Sequence, residues 1–327
     1  MGRVHSCARR DLSALRRRAA LLLILALALA GSPAGAAPPG VFRIVSMSPA
    51  ATEALFALGL GDRVIGVTQY CDYPPEALSK PRVATLLDIN LETLLSLSPD
   101  LVVLVDLNES LKERIERLGV RTFTLWHRSL GELCDSIEGL GATCGVPDQG
   151  RELADSLRGA MREARERTKG LSRPRVAVAV DRDVTDPTIR SIYIAGRASV
   201  YDEMIRLAGG ANAFETEGVT YPRLSAEGFL GMDPDVIIDL VGDHSFQKGL
   251  ISEDIRAQWR SLPELRAFQG GRIYIRFGND ALHPGPRLLA ILRQFVAFIH
   301  PELAAAGLAA SADLSENFRD VLVAGGP

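Results

Sequence analysis

The side chains with most chemical reach in this chain are its histidines, its cysteines and a few grouped carboxylates. Asn279, Asp280 and His283 share one short stretch. A histidine and carboxylate so placed can hydrogen-bond a polar ligand or offer an imidazole to a metal. His244 follows the apolar run Val236–Leu240, with Asp239 and Asp243 beside it, and His127 follows a second strand-like run. A bare-metal receptor needs three or four such ligands converging. Tyr70, His127, His244, Asp280 and His283 are scattered along the chain and do not converge by spacing. Cys71 is a candidate thiol nucleophile, but the neighbouring Asp72 would raise its pKa. The chain has no Gly-rich phosphate loop after a strand, no Gly-x-Ser-x-Gly elbow and no His-Glu-x-x-His. Gly59-Leu60-Gly61 follows a helix, so it is no dinucleotide fingerprint. The chain reads as a non-enzyme without a resident cofactor or metal; a secreted metal or thiol enzyme is the remote alternative.

The elements around these residues form a pattern written twice. Asn90–Val103 reads as a short helix, a Pro-Asp turn and an apolar strand, and Ser225–Ile238 repeats it 135 residues later. Glu92 pairs with Glu227, Pro99 with Pro234 and Asp100 with Asp235. A polar residue caps each helix, the proline ends it, and a β-branched run follows as a buried strand. Upstream, Ser48-Pro49 opens a helix closed by Gly59, and Ser199 opens its counterpart closed by Gly209-Gly210. Glu53 and Glu203 occupy matching places in that pair. The first half has predicted strands at 43–46, 64–67, 101–105 and 121–125; the second at 175–180, 191–194, 236–240 and 272–276. Strands alternating with helices predict an α/β fold of two doubly wound lobes with parallel sheets.

Between the halves, Leu153, Leu157, Ala160, Met161 and Ala164 keep a helical period. A helix of about 22 residues would be a rod of roughly 33 Å joining the lobes and limiting hinge motion. The N-terminus has the three parts of a secretory signal: Arg9, Arg10 and Arg16 to Arg18, the apolar run Ala19–Ala30, then Ala34-Gly35-Ala36. Ser32 stands where a lipoprotein would carry cysteine, so a soluble periplasmic product without a lipid anchor is expected. The implied organisation is a signal peptide at 1–36, lobes at 37–147 and 171–310, a connecting helix at 148–170 and a tail at 311–327. Charge is near balance, with 37 basic and 40 acidic residues, which gives no footprint for nucleic acid. After cleavage Cys71, Cys134 and Cys144 remain, an odd number, read as small buried thiols.

Arg43-Ile44-Val45-Ser46-Met47-Ser48-Pro49-Ala50-Ala51-Thr52-Glu53 resembles the opening signature of periplasmic cobalamin and ferric-siderophore binding proteins. Val67–Ala77 is similar to the cobalamin branch, and Asn90-Leu91-Glu92, Ser98–Val102 and Ala208–Phe214 continue the likeness over about residues 42–300. The resemblance implies a monomer that captures a corrinoid in a cleft between lobes and delivers it to an ABC permease dimer. A ferric-siderophore or haem receptor is the alternative within the class. It implies that Glu92 and Glu227 dock on the permease, and that Tyr70, Tyr193 and Tyr221 face a flat conjugated ligand. Asp280 and His283 complete the implied ligand set, His283 as a possible metal ligand in a chelate. Leu86 and Val105 stand where close cobalamin binders have tryptophans, and His283 where they have a basic residue.

Overall fold

Short apolar runs separated by capped helices build the first lobe. Its elements are β1 (Ile44–Ser46), α1 (Pro49–Ala57), β2 (Val64–Thr68), β3 (Arg82–Ala84), α2 (Leu91–Ser96), β4 (Leu101–Val105), α3 (Glu109–Arg117), β5 (Arg121–Leu125) and α4 (Leu130–Thr143). The strands form one parallel sheet in the order β3-β2-β1-β4-β5. The order reverses beside β1, and the crevice at the carboxyl ends of β1 and β4 is where such sheets take ligands. Helix α1 starts as its sequence dictates: Ser48 Oγ accepts from the Ala51 amide at 3.1 Å, and Gly59 leaves the helix at φ +73°.

The computed structural model describes residues 43–84, 90–106, 109–242 and 252–303, all within the unit Val41–Pro327. The segment 1–36 read as a signal peptide, Leu86, Asp243, His244 and residues 311–327 lie outside the described residues.

Helix α5 (Pro147–Arg167) has 21 residues, a rod of about 31 Å. It leads into β6 (Arg175–Arg182), β7 (Ser191–Ile194), α6 (Val200–Leu207), β8 (Ala211–Asn212), β9 (Arg223–Ser225), α7 (Ala226–Met232), β10 (Val236–Val241), α8 (Ser252–Gln258), α9 (Arg266–Gln269), β11 (Ile273–Phe277) and α10 (Leu288–Ile299). The second sheet runs β11-β10-β6-β7-β9, with β8 also on β6. The α/β two-lobe fold stands, with one departure from the parallel pattern: β7 is antiparallel to β6, and β9 to β7. Residues 183–190 between β6 and β7 are too few for a parallel crossover, which takes about a dozen or more residues.

Alternate residues of the central strands feed opposite faces. Val176 and Val178 of β6 and Val236 and Ile238 of β10 join the same core as Ile44, Leu101 and Val103 of the first lobe. Leu153, Leu157 and Ala164 of α5 belong to it too, so one apolar core runs through the rod into both lobes. Ala177, Ala179 and Ile237 face a second core with Phe229 and Trp259. The rod packs tightly on α4: a Cβ on Gly141 would lie 2.7 Å from Gly150 Cα. Helix α4 runs unbroken past Gly139 and Gly141, and Cys71, Cys134 and Cys144 are all free and buried.

Candidate functional site

The carboxyl ends of the first sheet carry Tyr70 after β2, Asp106 after β4, and Trp126 and His127 after β5. Tyr70 is exposed, as are Tyr193 and Tyr221 of the second lobe. Tyr193 lies on β7 opposite Asp181, near the carboxyl end of β6, with the Arg223 guanidinium 5.8 Å from its ring centre. Tyr221 precedes β9 and meets the buried Tyr201 edge-on, centroids 6.4 Å apart. It is 44% exposed, yet surrounding protein and then the Asp106 carboxylate raise its hydroxyl above the usual range. Asp106 belongs to the first lobe, so its charge acts on Tyr221 from the other lobe.

Trp126 joins the three tyrosines as an exposed aromatic, with the Arg128 guanidinium 4.8 Å from its ring centre. Sequence reasoning passed over it because it directly continues the strand Arg121–Leu125 and reads as core. His127 Nδ1 lies 2.9 Å from Asp106 Oδ1, and Arg128 lies 3.6 Å from the same carboxylate.

The loop from β11 to α10 holds the other predicted residues. Asp280 is bound by protein: Arg276 donates to both its oxygens, at 2.7 and 2.6 Å, and Arg287 lies 4.0 Å away. Asp280, expected to face a ligand, orders two arginines. Asn279 donates to Asp72 of the first lobe at 3.2 Å. The His283 amide donates to the Asn279 carbonyl at 3.1 Å, and His283 keeps a further interaction within the protein. Asp239, the neighbour of the His244 stretch, turns into the core, where Arg182 pairs with it at 2.8 Å.

The lobes meet through the two glutamates that the repeat made equivalent. Glu53 of α1 accepts from Arg287 at 2.5 Å, and Glu203 of α6 accepts from the Leu130 amide at 2.7 Å. Arg287 also stacks 3.9 Å from the Tyr73 ring centre. Burial raises the Glu53 carboxyl to about 7, and Arg287 offsets only part of that. At Arg287 the balance is reversed: its carboxylate partners keep it charged despite burial. The spacing gave the equivalence of Glu53 and Glu203, but not their cross-lobe partners.

Glu92 and Glu227 sit exposed in the first turns of α2 and α7. Asn90 Oδ1 caps α2 on the Thr93 amide at 2.8 Å, and Ser225 Oγ caps α7 on the Gly228 amide at 3.2 Å. Each helix end therefore has a polar cap, and neither glutamate has an ion-pair partner among the described residues. Cys71 is fully buried and its thiol is raised chiefly by burial, not by Asp72, which does not suit a nucleophile. No cluster of three or more His, Cys, Asp or Glu arranged for a metal ion occurs among the described residues. No helix among them is long and apolar enough to cross a membrane.

Comparison with known proteins agrees with this geometry. A family described as periplasmic binding protein matches residues 44–275. A vitamin B12-binding protein of Vibrio cholerae serotype O1 is 30% identical over 260 residues, 79% of this chain and 88% of that one. A solved structure of a periplasmic vitamin B12 binding protein of Vibrio cholerae superposes with TM-score 0.66 at 29% identity, covering 79% of this chain and 96% of the other. A periplasmic heme-binding protein from Roseiflexus sp. RS-1, in apo form, superposes with TM-score 0.67 at 27% identity, covering 80% and 99%.

Proposed function

Because this chain belongs to the periplasmic binding protein family, we propose that it captures a corrinoid between its lobes and hands it to the permease of an ABC importer. Family membership makes it a transport component outside the membrane, not an enzyme, with a permease as partner. The corrinoid, a monomeric state and export through the segment 1–36 are our reading.

One observation carries the ligand class. Tyr70, Trp126, Tyr193 and Tyr221 are the exposed large aromatics among the described residues; Tyr70 and Trp126 follow the carboxyl ends of β2 and β5, and Tyr193 and Tyr221 lie on the β7-β9 side of the second sheet. Flat apolar faces with polar rims suit a broad conjugated ring bearing amides or carboxylates. The stiff α5 and its continuous core favour a small change of lobe angle on binding. Glu92 and Glu227, one per lobe, give the permease two exposed carboxylates to read.

Haem is the second reading, favoured by the Roseiflexus likeness. Trp126 provides the test, since a corrin or porphyrin beside it quenches its fluorescence. Titration with cobinamide, cobalamin and haemin should quench at micromolar concentration or below for the true ligand. Quenching by haemin alone replaces the corrinoid with haem. Absence of quenching by all three, with tight binding of a ferric siderophore, overturns the planar-ring reading.

A further inference from the structure

Resting on that reading, we infer that His127, held by Asp106, is the axial ligand the cleft offers to the metal of its cargo. The dyad stands at the place in the fold where ligands bind. Strands β4 and β5 are parallel neighbours, and Val105 pairs with Leu125. Asp106 and Trp126 are the next residues of each, so His127 emerges at the carboxyl edge, beside the crevice opened where the strand order reverses.

The dyad has the chemistry of a metal donor. A carboxylate within 2.9 Å accepts only, so it favours the tautomer with the proton on Nδ1 and the lone pair on Nε2. Metal-binding histidines have their second nitrogen oriented in this way. The Nδ1 atom is fully buried against Asp106, whereas the side chain as a whole keeps 15% exposure. Asp106 Oδ1 and His127 Nδ1 meet too obliquely for a well-aligned hydrogen bond. Engaging Nε2 would let the ring settle onto the carboxylate.

The surroundings match a planar chelate. Trp126 is exposed next in sequence, and Arg128 braces both the Trp126 ring and the Asp106 carboxylate. His300, by contrast, is buried with Nδ1 on Glu302. The consequence is a substrate class: a tetrapyrrole whose metal has an exchangeable axial position. A ferric siderophore whose iron is already saturated gains nothing from His127. On binding, an axial water leaves the metal and the Nε2 lone pair forms the new bond, with no change of oxidation state.

The test is visible spectroscopy of the full protein with diaquocobinamide and with haemin. For the wild type, the bound probe should show the spectrum of a nitrogen-ligated metal. In His127→Ala and His127→Gln it should keep a water-ligated spectrum and bind about tenfold or more weakly, and free imidazole should restore the nitrogen-ligated bands in His127→Ala. Asp106→Asn should retain the bands with affinity lowered about 10- to 100-fold, the usual effect of losing a histidine's supporting partner. Unliganded melting temperatures identify any variant that fails to fold, and the glutamine variant keeps the side chain's bulk. Unchanged spectra in both His127 variants, or loss of the bands in His283→Ala instead, overturn the assignment and leave the planar ligand standing. Failure of the wild type to bind either probe overturns both.

Discussion

The Arg287 guanidinium of the second lobe lies 2.5 Å from the Glu53 carboxylate of the first, and both side chains are withdrawn from solvent. The mirrored contact, Glu203 on the Leu130 amide, uses the equivalent helix of the other lobe. The repeat thus places one carboxylate latch on each lobe. Removing one partner of a buried pair leaves an uncompensated charge and costs about 3–5 kcal/mol. Arg287→Ala should lower stability by that amount in denaturant unfolding. Glu53→Gln with Arg287→Met should cost much less. Equal losses in the single and double variants would show that the pair itself contributes little.

The same latch sets a pH dependence. The folded-state pKa of Glu53 is raised from 4.5 to about 7, with Asp280 and Asp72 adding to burial and Arg287 opposing it. Between those values the folded state holds a proton that the unfolded state has released. Stability from this group is therefore full below pH 4.5 and lost as pH rises to about 7. The difference is on the order of 3 kcal/mol. Melting curves of the wild type against Glu53→Gln should diverge over that window and run parallel above it.

Gly141 and Gly150 let α4 and the rod touch backbone to backbone. Gly141→Ala forces them apart and should cost about 1–3 kcal/mol, the usual penalty of overpacking. Ligand affinity should fall with it if the rod sets the angle between lobes. A neutral alanine would mean the contact relaxes without strain.

Glu92→Arg with Glu227→Arg reverses the charge of both exposed first-turn carboxylates. Transport and permease affinity should drop tenfold or more, while ligand affinity and melting temperature stay within error. Their helix caps are Asn90 and Ser225, which the variants leave in place. Unchanged transport would end the docking role.

Tyr70→Ala, Tyr193→Ala and Tyr221→Ala should each weaken ligand binding about 5- to 30-fold, the range for losing an aromatic contact of roughly 1–2 kcal/mol. Exposed rings carry little fold stability, so calorimetric unfolding without ligand should barely move. Titration calorimetry separates the two.

The fold was legible because its repeat is local: cap, proline and β-branched run recur at one spacing, and each part has a physical reason to act alone. The reversed β7 was also present in the chain, in the shortness of 183–190, but alternation alone pointed to a parallel strand. The site was less legible. Tyr70, Tyr193 and Tyr221 were singled out through resemblance, and the structure exposes them. The tasks of Asp280, Arg287 and His127 depend on partners far along the chain, which no spacing reveals. Asp280 serves Arg276, Arg287 serves Glu53, and His127 stands on Asp106.

Capture of a planar metal chelate is most directly tested by thermal unfolding of the protein with cobalamin, cobinamide, haemin and saturated ferric siderophores. A ligand at 100 times its Kd adds about 2.7 kcal/mol and shifts the melting temperature by several degrees. Corrinoid capture predicts such a shift with cobalamin or cobinamide. A shift with ferric siderophores alone would contradict it.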